Sequence, residues 1–372
     1  MATKPHGGKL VNRLTDKLPD CGSVLNISTQ NALDLARIAD GSYSPLTGFM
    51  NSDELRSVTD NMELPGGEIW PIPILLQVNG RYSFSAGDRI ALRYNGEKVG
   101  CIDVSEVYNA DMKRVILKTY GTIDPAHPNV NQTLRQGSRI IGGNILALKK
   151  DETANLTGPE AIRKLFRERK WETIVAYQTR NPPHMAHEYI QRLAMELTDG
   201  LFINPVVGEL KTDDFSQDDI MGAYRLFVSK YYPDNKVVLS PLMISMRYAG
   251  PKAALFLAIV RKNYGCTHFI IGRDMAGAGS FYRPYAAQEM LENYDIGLQV
   301  IKIREAFFCR QCNCMATENT CRHPLSNRES MSMTEIRNRI RSGIPVPEIM
   351  MRSEVTAFLS SRHSKKSFVE ML

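Results

Sequence analysis

The run Gln178-Thr-Arg-Asn-Pro-Pro-His-Met-Ala-His-Glu188 gathers the side chains that a small anion needs. Arg180 offers a planar guanidinium fork that suits a tetrahedral oxyanion. Gln178 and Asn181 can position oxygens without adding charge, and Thr179 stands between them with a hydroxyl. His184 and His187 are three residues apart, share a helix face in this pattern, and can each donate to phosphate oxygens. The apolar run Thr173–Tyr177 precedes the segment and a helical pattern follows it. The polar groups therefore fall at the carboxyl end of a strand and before a helix N-terminus, where unpaired N–H groups and the dipole favour phosphate. An H-x-x-H pair alone also describes a capped helix with surface histidines, or two zinc ligands, although the H-E-x-x-H protease spacing is not met.

A second segment, Gly272-Arg-Asp-Met-Ala-Gly-Ala-Gly279, follows the apolar run Thr267–Ile271. Its glycines let backbone N–H groups approach an anion, and Arg273 supplies a second guanidinium if the two strands are neighbours. The plainer alternative is a strand-to-helix turn with Arg273 in a salt bridge. A third segment holds four of the seven cysteines between positions 309 and 321. Cys309-x-x-Cys312 with Cys321 and His323 makes a tetrahedral zinc set. Cys314 is a spare thiol that can replace one of them, and a loop of reduced thiols without metal is the alternative.

The elements that must position these groups follow a change of pattern along the chain. Residues 1–165 carry short β-type runs such as Ile72–Val78, Arg89–Tyr94 and Arg114–Tyr120, with turn signals at Asn79-Gly80 and Asn95-Gly96. This part reads as a β-rich domain. A helix is predicted over Pro159–Lys170. Strands at 173–177, 201–204, 236–240, 267–271 and 298–303 then alternate with helices at 187–197, 218–231, 251–263 and 284–294. Such alternation predicts an α/β domain over 166–330, with a parallel sheet that binds ligands at the carboxyl ends of its strands. Residues 331–372 form a small helical C-terminal region with a helix over Thr334–Arg341.

The chain has 372 residues, 43% apolar and 23% charged, ordinary for a folded chain of two or three domains. No run approaches the roughly 18 apolar residues of a membrane span, and no leader-type apolar segment follows Lys4. A cytoplasmic enzyme without membrane or nucleic-acid partners is expected. The net charge of +6 is mild. The densest basic cluster, Arg163, Lys164, Arg167, Arg169 and Lys170, reads as a solvated helix face.

The first segment resembles the signature of ATP sulfurylases, within the wider H-x-G-H-type nucleotidyltransferases. Tyr43-Ser-Pro-Leu-Thr-Gly-Phe-Met50, Met246-Arg-Tyr-Ala-Gly-Pro-Lys252 and Arg261-Lys-Asn-Tyr-Gly-Cys-Thr-His-Phe-Ile-Ile-Gly-Arg-Asp274 resemble further motifs of that family, and the similarity runs from about residue 20 to 360. The resemblance implies a Rossmann-like nucleotidyltransferase domain behind a β-rich, PUA-like N-terminal domain. It implies joining of sulfate to the α-phosphate of ATP to give adenosine 5′-phosphosulfate and pyrophosphate, or the reverse, with magnesium accompanying ATP. Carried over by position, Thr179, Arg180 and Asn181 form the catalytic run. Gln178 and Arg180 hold sulfate with the backbone at Ala276, while Gly272, Arg273, Asp274 and Met275 border the nucleotide and Met315 lies near adenine. The family also implies a homodimer, and some members carry a zinc loop like the one here. Sulfate needs no deprotonation at pH 7, so catalysis rests on positioning and charge stabilisation.

The sequence departs from the family at several points. Met275 stands where the family has histidine, and Leu257 where many members have another. Asp213 replaces a common glycine in Val207–Phe215, and Met333 replaces the glycine of a Ser-Gly-Thr motif. Two rivals follow: another adenylyl- or cytidylyltransferase of the superfamily, and a nucleotide-binding relative without activity, which Met275 and Leu257 support. No G-x-x-x-x-G-K-[ST] segment occurs, so a P-loop kinase is not expected.

Overall fold

The computed structural model describes residues 3–80, 82–149, 158–208 and 214–369, so Asp213 lies outside the described residues. The first part of the chain forms a seven-stranded mixed sheet from β1 (Leu14–Thr15), β2 (Ser23–Asn26), β3 (Gly48–Phe49), β4 (Leu76–Val78), β5 (Arg89–Tyr94), β6 (Glu97–Asn109) and β7 (Arg139–Leu148). Its order is β1-β7-β6-β5-β2, with β3 and β4 also paired to β7. Helices α1 (Thr29–Ala39), α2 (Ser52–Asn61), α3 (Met112–Tyr120) and α4 (Pro128–Arg135) accompany it.

Asn95-Gly96 makes the expected tight turn between β5 and β6, with φ of 50° and 85°, the left-handed pair that a type I′ turn requires. Asn79-Gly80 does not make a hairpin, because β4 pairs with β7 rather than β5. Only Leu76–Val78 of the run Ile72–Val78 is strand; Pro73, which lacks an N–H to donate, interrupts its start. The expected strand at Arg114–Tyr120 is instead α3. Asp111 caps its N-terminus by accepting from Lys113 and Arg114, and Gly121 ends it at φ 72°. The buried positions Met112, Val115, Ile116, Thr119 and Tyr120 have helical spacing, so burial on one helix face overrode the β-branched composition.

After α5 (Pro159–Glu168), a five-stranded sheet is built from β8 (Ile174–Tyr177), β9 (Gly200–Ile203), β10 (Val237–Leu239), β11 (His268–Ile271) and β12 (Gln299–Lys302). Every pairing is parallel and the order is β10-β9-β8-β11-β12. Helices α6 (Met185–Met195), α7 (Gln217–Tyr231), α8 (Pro251–Asn263) and α9 (Ala286–Glu292) provide or flank the crossovers. Alternate residues of β8 and β9 face opposite ways: Ile174, Ala176 and Phe202 enter one apolar cluster, while Val175, Tyr177, Leu201 and Ile203 enter another. The second cluster is closed by α7, α10 (Met333–Arg341) and α11 (Ser353–Val369). A small antiparallel sheet, β13 (Phe307–Cys309), β14 (Cys314–Ala316) and β15 (Arg328–Ser330), lies between β12 and α10 in the chain. Among the described residues, no helix is long and apolar enough to cross a membrane.

The first apolar cluster is shared by the two large sheets. It contains Leu25, Leu92 and Ile141 of the first sheet, Ile174 and Phe269 of the second, and most of α8. Helix α8 is therefore buried on nearly every side, including Leu257. Phe256 of α8 meets Tyr43 and Trp70 edge-on, with ring centroids 5.1 Å and 5.5 Å away. Polar ties cross the same junction. Arg163, expected on a solvated face, is buried and donates to the carbonyls of Thr3, Lys262 and Asn263. Arg169, of the same cluster, donates to the Val237 carbonyl at 2.8 Å. Arg247 of the second part forms an ion pair with Asp34 of α1, and both side chains are almost wholly buried.

Removing one member of a buried pair strands the other charge in a medium of low dielectric. Asp34→Ala is accordingly expected to lower the free energy of unfolding by about 3–5 kcal/mol, read as a shifted urea midpoint. A midpoint within error of the parent would show that Arg247 does not need its partner.

Candidate active site

Strands β8 and β11 are parallel neighbours, with His268 opposite Val175 and Phe269 opposite Ala176. The segments that leave their carboxyl ends thus emerge side by side, at the point where the strand order reverses direction. Between them lies a cleft of about 380 Å³, within the usual size of a small-molecule site. Gln178, Thr179, Arg180, Asn181, His184 and His187 line it from the β8 side, and Gly272, Arg273, Asp274, Met275 and Ala276 from the β11 side. Of the residues that the sequence suggests for anion and nucleotide, Met315 alone stands apart. It lines a separate depression with Met185, Tyr189 and Phe308, because β14 turns it toward the far side of α6.

Helix α6 begins directly at the cleft. His184 is its N-cap in extended conformation; no side chain caps the helix start, and the Met185 N–H donates to the Met350 carbonyl at 2.9 Å. The rings of His184 and His187 stack with centroids 3.6 Å apart. Burial lowers the His184 pKa to about 3. Burial, reinforced by His184, holds His187 well below its ordinary value as well. Both are neutral imidazoles at pH 7, donors through one nitrogen each rather than cations. The His184 Nδ1 and the Gln178 Oε1 are buried without a hydrogen-bond partner. Buried polar atoms of this kind are costly unless a ligand or water completes them.

The Gly272–Gly279 segment is held in an unusual backbone conformation. Asp274 and Ala276 both have positive φ, 52° and 55°, which costs about 1–3 kcal/mol per residue and persists where surrounding structure enforces it. The enforcing bonds are Asp274 N–H to the Pro284 carbonyl at 2.7 Å and Gly250 N–H to the Ala276 carbonyl at 3.0 Å. A Cβ on Gly272 would meet no protein atom within 4 Å, so its lack of a side chain leaves room in the cleft rather than relieving a clash. Met275 packs on the same apolar cluster that contains Leu257, and a thioether there gives no N–H to a phosphate.

Three arginines, Arg180, Arg273 and Arg304, line the cleft with two carboxylates, Asp274 and Glu305, and Glu318 lies 3.3 Å from Arg304. Arg273 is paired with Glu305 at 2.8 Å and Asp274 at 3.1 Å. Arg180 donates to the Tyr248 hydroxyl, stacks over the Tyr248 ring and lies 3.8 Å from Asp214. An incoming dianion would take the place of the carboxylates in these contacts. Tyr248, Asp214 and Glu305 carry no role in the sequence reading. For Tyr248 the only signal was its place in the Met246–Lys252 motif.

The cysteine segment closes a hairpin. Cys309 ends β13 opposite Cys314 of β14, and Asn313 turns the loop at φ 54°. The ligand atoms of Cys309, Cys312, Cys321 and His323 all lie within 4.8 Å of one another. Cys312 and Cys321 sulfurs are 3.8 Å apart, and His323 Nδ1 is 3.1–3.5 Å from the three sulfurs. A tetrahedral zinc with bonds of about 2.3 Å to sulfur and 2.0–2.1 Å to nitrogen has edges of about 3.5–3.8 Å, so the set fits that ion. The Cys312 N–H donates to Cys309 Sγ and lowers that thiol's pKa to about 6. The Cys312 thiol beside it is pushed up, chiefly by its hydrogen bond to Cys309 and by desolvation. Cys314 stays outside this set and is exposed.

The family model described as ATP-sulfurylase matches residues 154–362, and that of a PUA-like domain matches residues 3–150. Sulfate adenylyltransferase of Staphylothermus marinus is 42% identical over 97% of this chain and 98% of its own length. That of Thermococcus onnurineus is 42% identical over the whole of both chains. That of Chloroflexus aurantiacus is 40% identical over 97% of each. A solved structure described as a hexameric APS kinase from Thiobacillus denitrificans superposes with a TM-score of 0.73 at 25% identity, covering 96% of this chain and 68% of that one.

The two cleft histidines make stability depend on pH. In the unfolded chain they take up protons near pH 6.5, whereas folded His184 does so only near 3. The unfolded state therefore binds more protons between these values, and stability falls as pH drops through that window by about 1.4 kcal/mol per pH unit for each histidine. His184→Gln should flatten the decline by about one such share, measured by urea unfolding at pH 7.5, 6 and 5; parallel curves for variant and parent would refute it.

Proposed function

The chain belongs to the ATP-sulfurylase family, and from that membership we propose how its cleft carries out sulfate adenylyl transfer. Gln178 and Arg180 hold sulfate, and ATP lies with its phosphates over the start of α6. A sulfate oxygen attacks the α-phosphorus in line with the departing pyrophosphate. A new P–O bond to sulfate forms as the bond to the β-phosphate oxygen breaks, and pyrophosphate leaves with that electron pair. No protein nucleophile or base is needed, because sulfate is already a dianion at pH 7. Arg180, Thr179 and Asn181 sit at the reacting centre, Arg273 gathers charge on the nucleotide, and neutral His184 and His187 donate to phosphate oxygens. The carrying observation is that two guanidinium-bearing segments leave adjacent parallel strands into one cleft beside a helix start that has no side-chain cap.

Magnesium bound to the ATP phosphates would supply charge neutralisation and a fixed triphosphate geometry. Asp274 and Glu305 are the carboxylates lining the cleft that would meet its water shell on leaving Arg273, with which both are paired. Zinc is the reading for Cys309, Cys312, Cys321 and His323, where it would tie the hairpin that follows β12. Three regions, 1–165, 166–330 and 331–372, remain our division of the chain. A cytoplasmic homodimer is the reading for its assembly, and light scattering separates a dimer from a hexamer.

ATP–pyrophosphate exchange should depend on sulfate, and Arg180→Ala should reduce it by about 100-fold or more, the scale of a lost transition-state donor. Exchange equal with and without sulfate would overturn the assignment. Elemental analysis of freshly purified protein should give about one zinc per chain, and Cys309→Ser with Cys312→Ser should abolish it together with part of the thermal stability. Parent protein without zinc would remove the metal reading.

A further inference from the structure

The segment Met246–Gly250 is squeezed between the N-terminal part of the chain and the cleft. On one side Asn129, at the start of α4, accepts from the Tyr248 N–H at 3.0 Å and donates to the Met246 carbonyl at 3.3 Å. His127, the N-cap of α4, meets the Tyr248 carbonyl through Nε2 at 2.9 Å. Its Nδ1 accepts from the Asn129 N–H at 3.3 Å, which places the proton on Nε2 and makes His127 the donor to Tyr248. Burial holds the His127 pKa below its ordinary value, so the ring is neutral at pH 7 and keeps this tautomer. Arg247, between the two anchored peptides, is tied to Asp34. On the other side the Tyr248 side chain, itself buried, enters the cleft and meets Arg180 twice, by its hydroxyl and by its ring face.

We propose that Tyr248 is the positioning residue for Arg180, and that Asn129 and His127 of the N-terminal part set Tyr248 and so belong to the sulfate site although they line none of it. This rests on the reading above that Arg180 grips sulfate. The hydroxyl fixes one nitrogen of the guanidinium and the ring fixes its plane, so the remaining N–H groups are presented as a fork before the dianion arrives. A free arginine carries side-chain entropy that binding would otherwise have to remove. Gly250 completes the bracket, since its N–H donates to the Ala276 carbonyl of the opposite cleft wall and a Cβ added there would strike the Tyr282 ring at 2.5 Å.

The test compares KM for sulfate with KM for ATP in Tyr248→Phe, Tyr248→Leu and Asn129→Ala, with thermal unfolding of each as a control. Tyr248→Phe keeps the ring and should raise KM for sulfate about tenfold, the scale of one lost hydrogen bond to a charged group, with KM for ATP within about twofold. Tyr248→Leu, which loses hydroxyl and ring, should raise it further, and Asn129→Ala should follow Tyr248→Phe at a distance. Equal increases in both KM values, or a sulfate KM unchanged in Tyr248→Phe, would overturn the proposal. Arg180→Ala run alongside keeps the two readings apart. If it abolishes sulfate-dependent exchange while Tyr248→Phe changes nothing, the positioning role fails and the sulfate site stands. If it leaves exchange intact, the sulfate site itself fails.

Discussion

Adjacency of two parallel strands is the constraint on which the site depends. Neighbouring strands lie about 4.8 Å apart, so whatever follows β8 and whatever follows β11 must share one small volume. The order β10-β9-β8-β11-β12 places that volume where the chain reverses its direction of travel across the sheet, leaving a crevice that no crossover helix fills. Each segment needs only to carry an arginine near its strand end for both to face the same cleft. Helix α6 adds a third, local contribution, since its N-terminus, which no side chain caps, opens into the same space. None of these parts requires a long-range accident once β8 and β11 are paired.

The same proximity creates an electrostatic problem. Arg180, Arg273 and Arg304 line one cleft and repel one another. The protein manages this by lending each a carboxylate that a stronger anion can replace: Glu305 and Asp274 for Arg273, Glu318 for Arg304, and Asp214 for Arg180. The histidines avoid adding to the repulsion by being too buried to charge. Cationic grip and neutral donation are thus divided between residue types, and the division comes from exposure: the arginines reach toward solvent, while the imidazoles lie under them.

Much of this was legible in the sequence because it is local. Strand-end segments, the alternation of helix and strand, and the C-x-x-C pair each occupy a short window, and the cleft is lined by Gln178, Thr179, Arg180, Asn181, His184 and His187 and by Gly272 to Ala276. What was not legible depends on distant packing. Arg114–Tyr120 has the composition of a strand, but one face of it meets a core and winds it into a helix. Arg163 has the spacing of a solvated face, but the carbonyls that receive it lie about a hundred residues later in the chain. Met315 is close in sequence to the metal-type cysteines, yet the hairpin directs it away from the cleft. Tyr248 was visible as part of a motif without a role, because its partners Asn129 and Arg180 sit on opposite sides of it and more than sixty positions away.

The apolar cluster common to the two large sheets has a further meaning for how such a chain can be taken apart. Leu25, Trp70 and Ile141 rest on the same interior as Ile174, Phe256 and Phe269, with α8 filling the space between them. Cutting near residue 150 would therefore not release two finished modules, but two halves that each expose an oily face. Heredity can tinker freely with surface loops of this molecule or append sequence outside it, but swapping its front half for an unrelated fold would require rebuilding the interior at the same time.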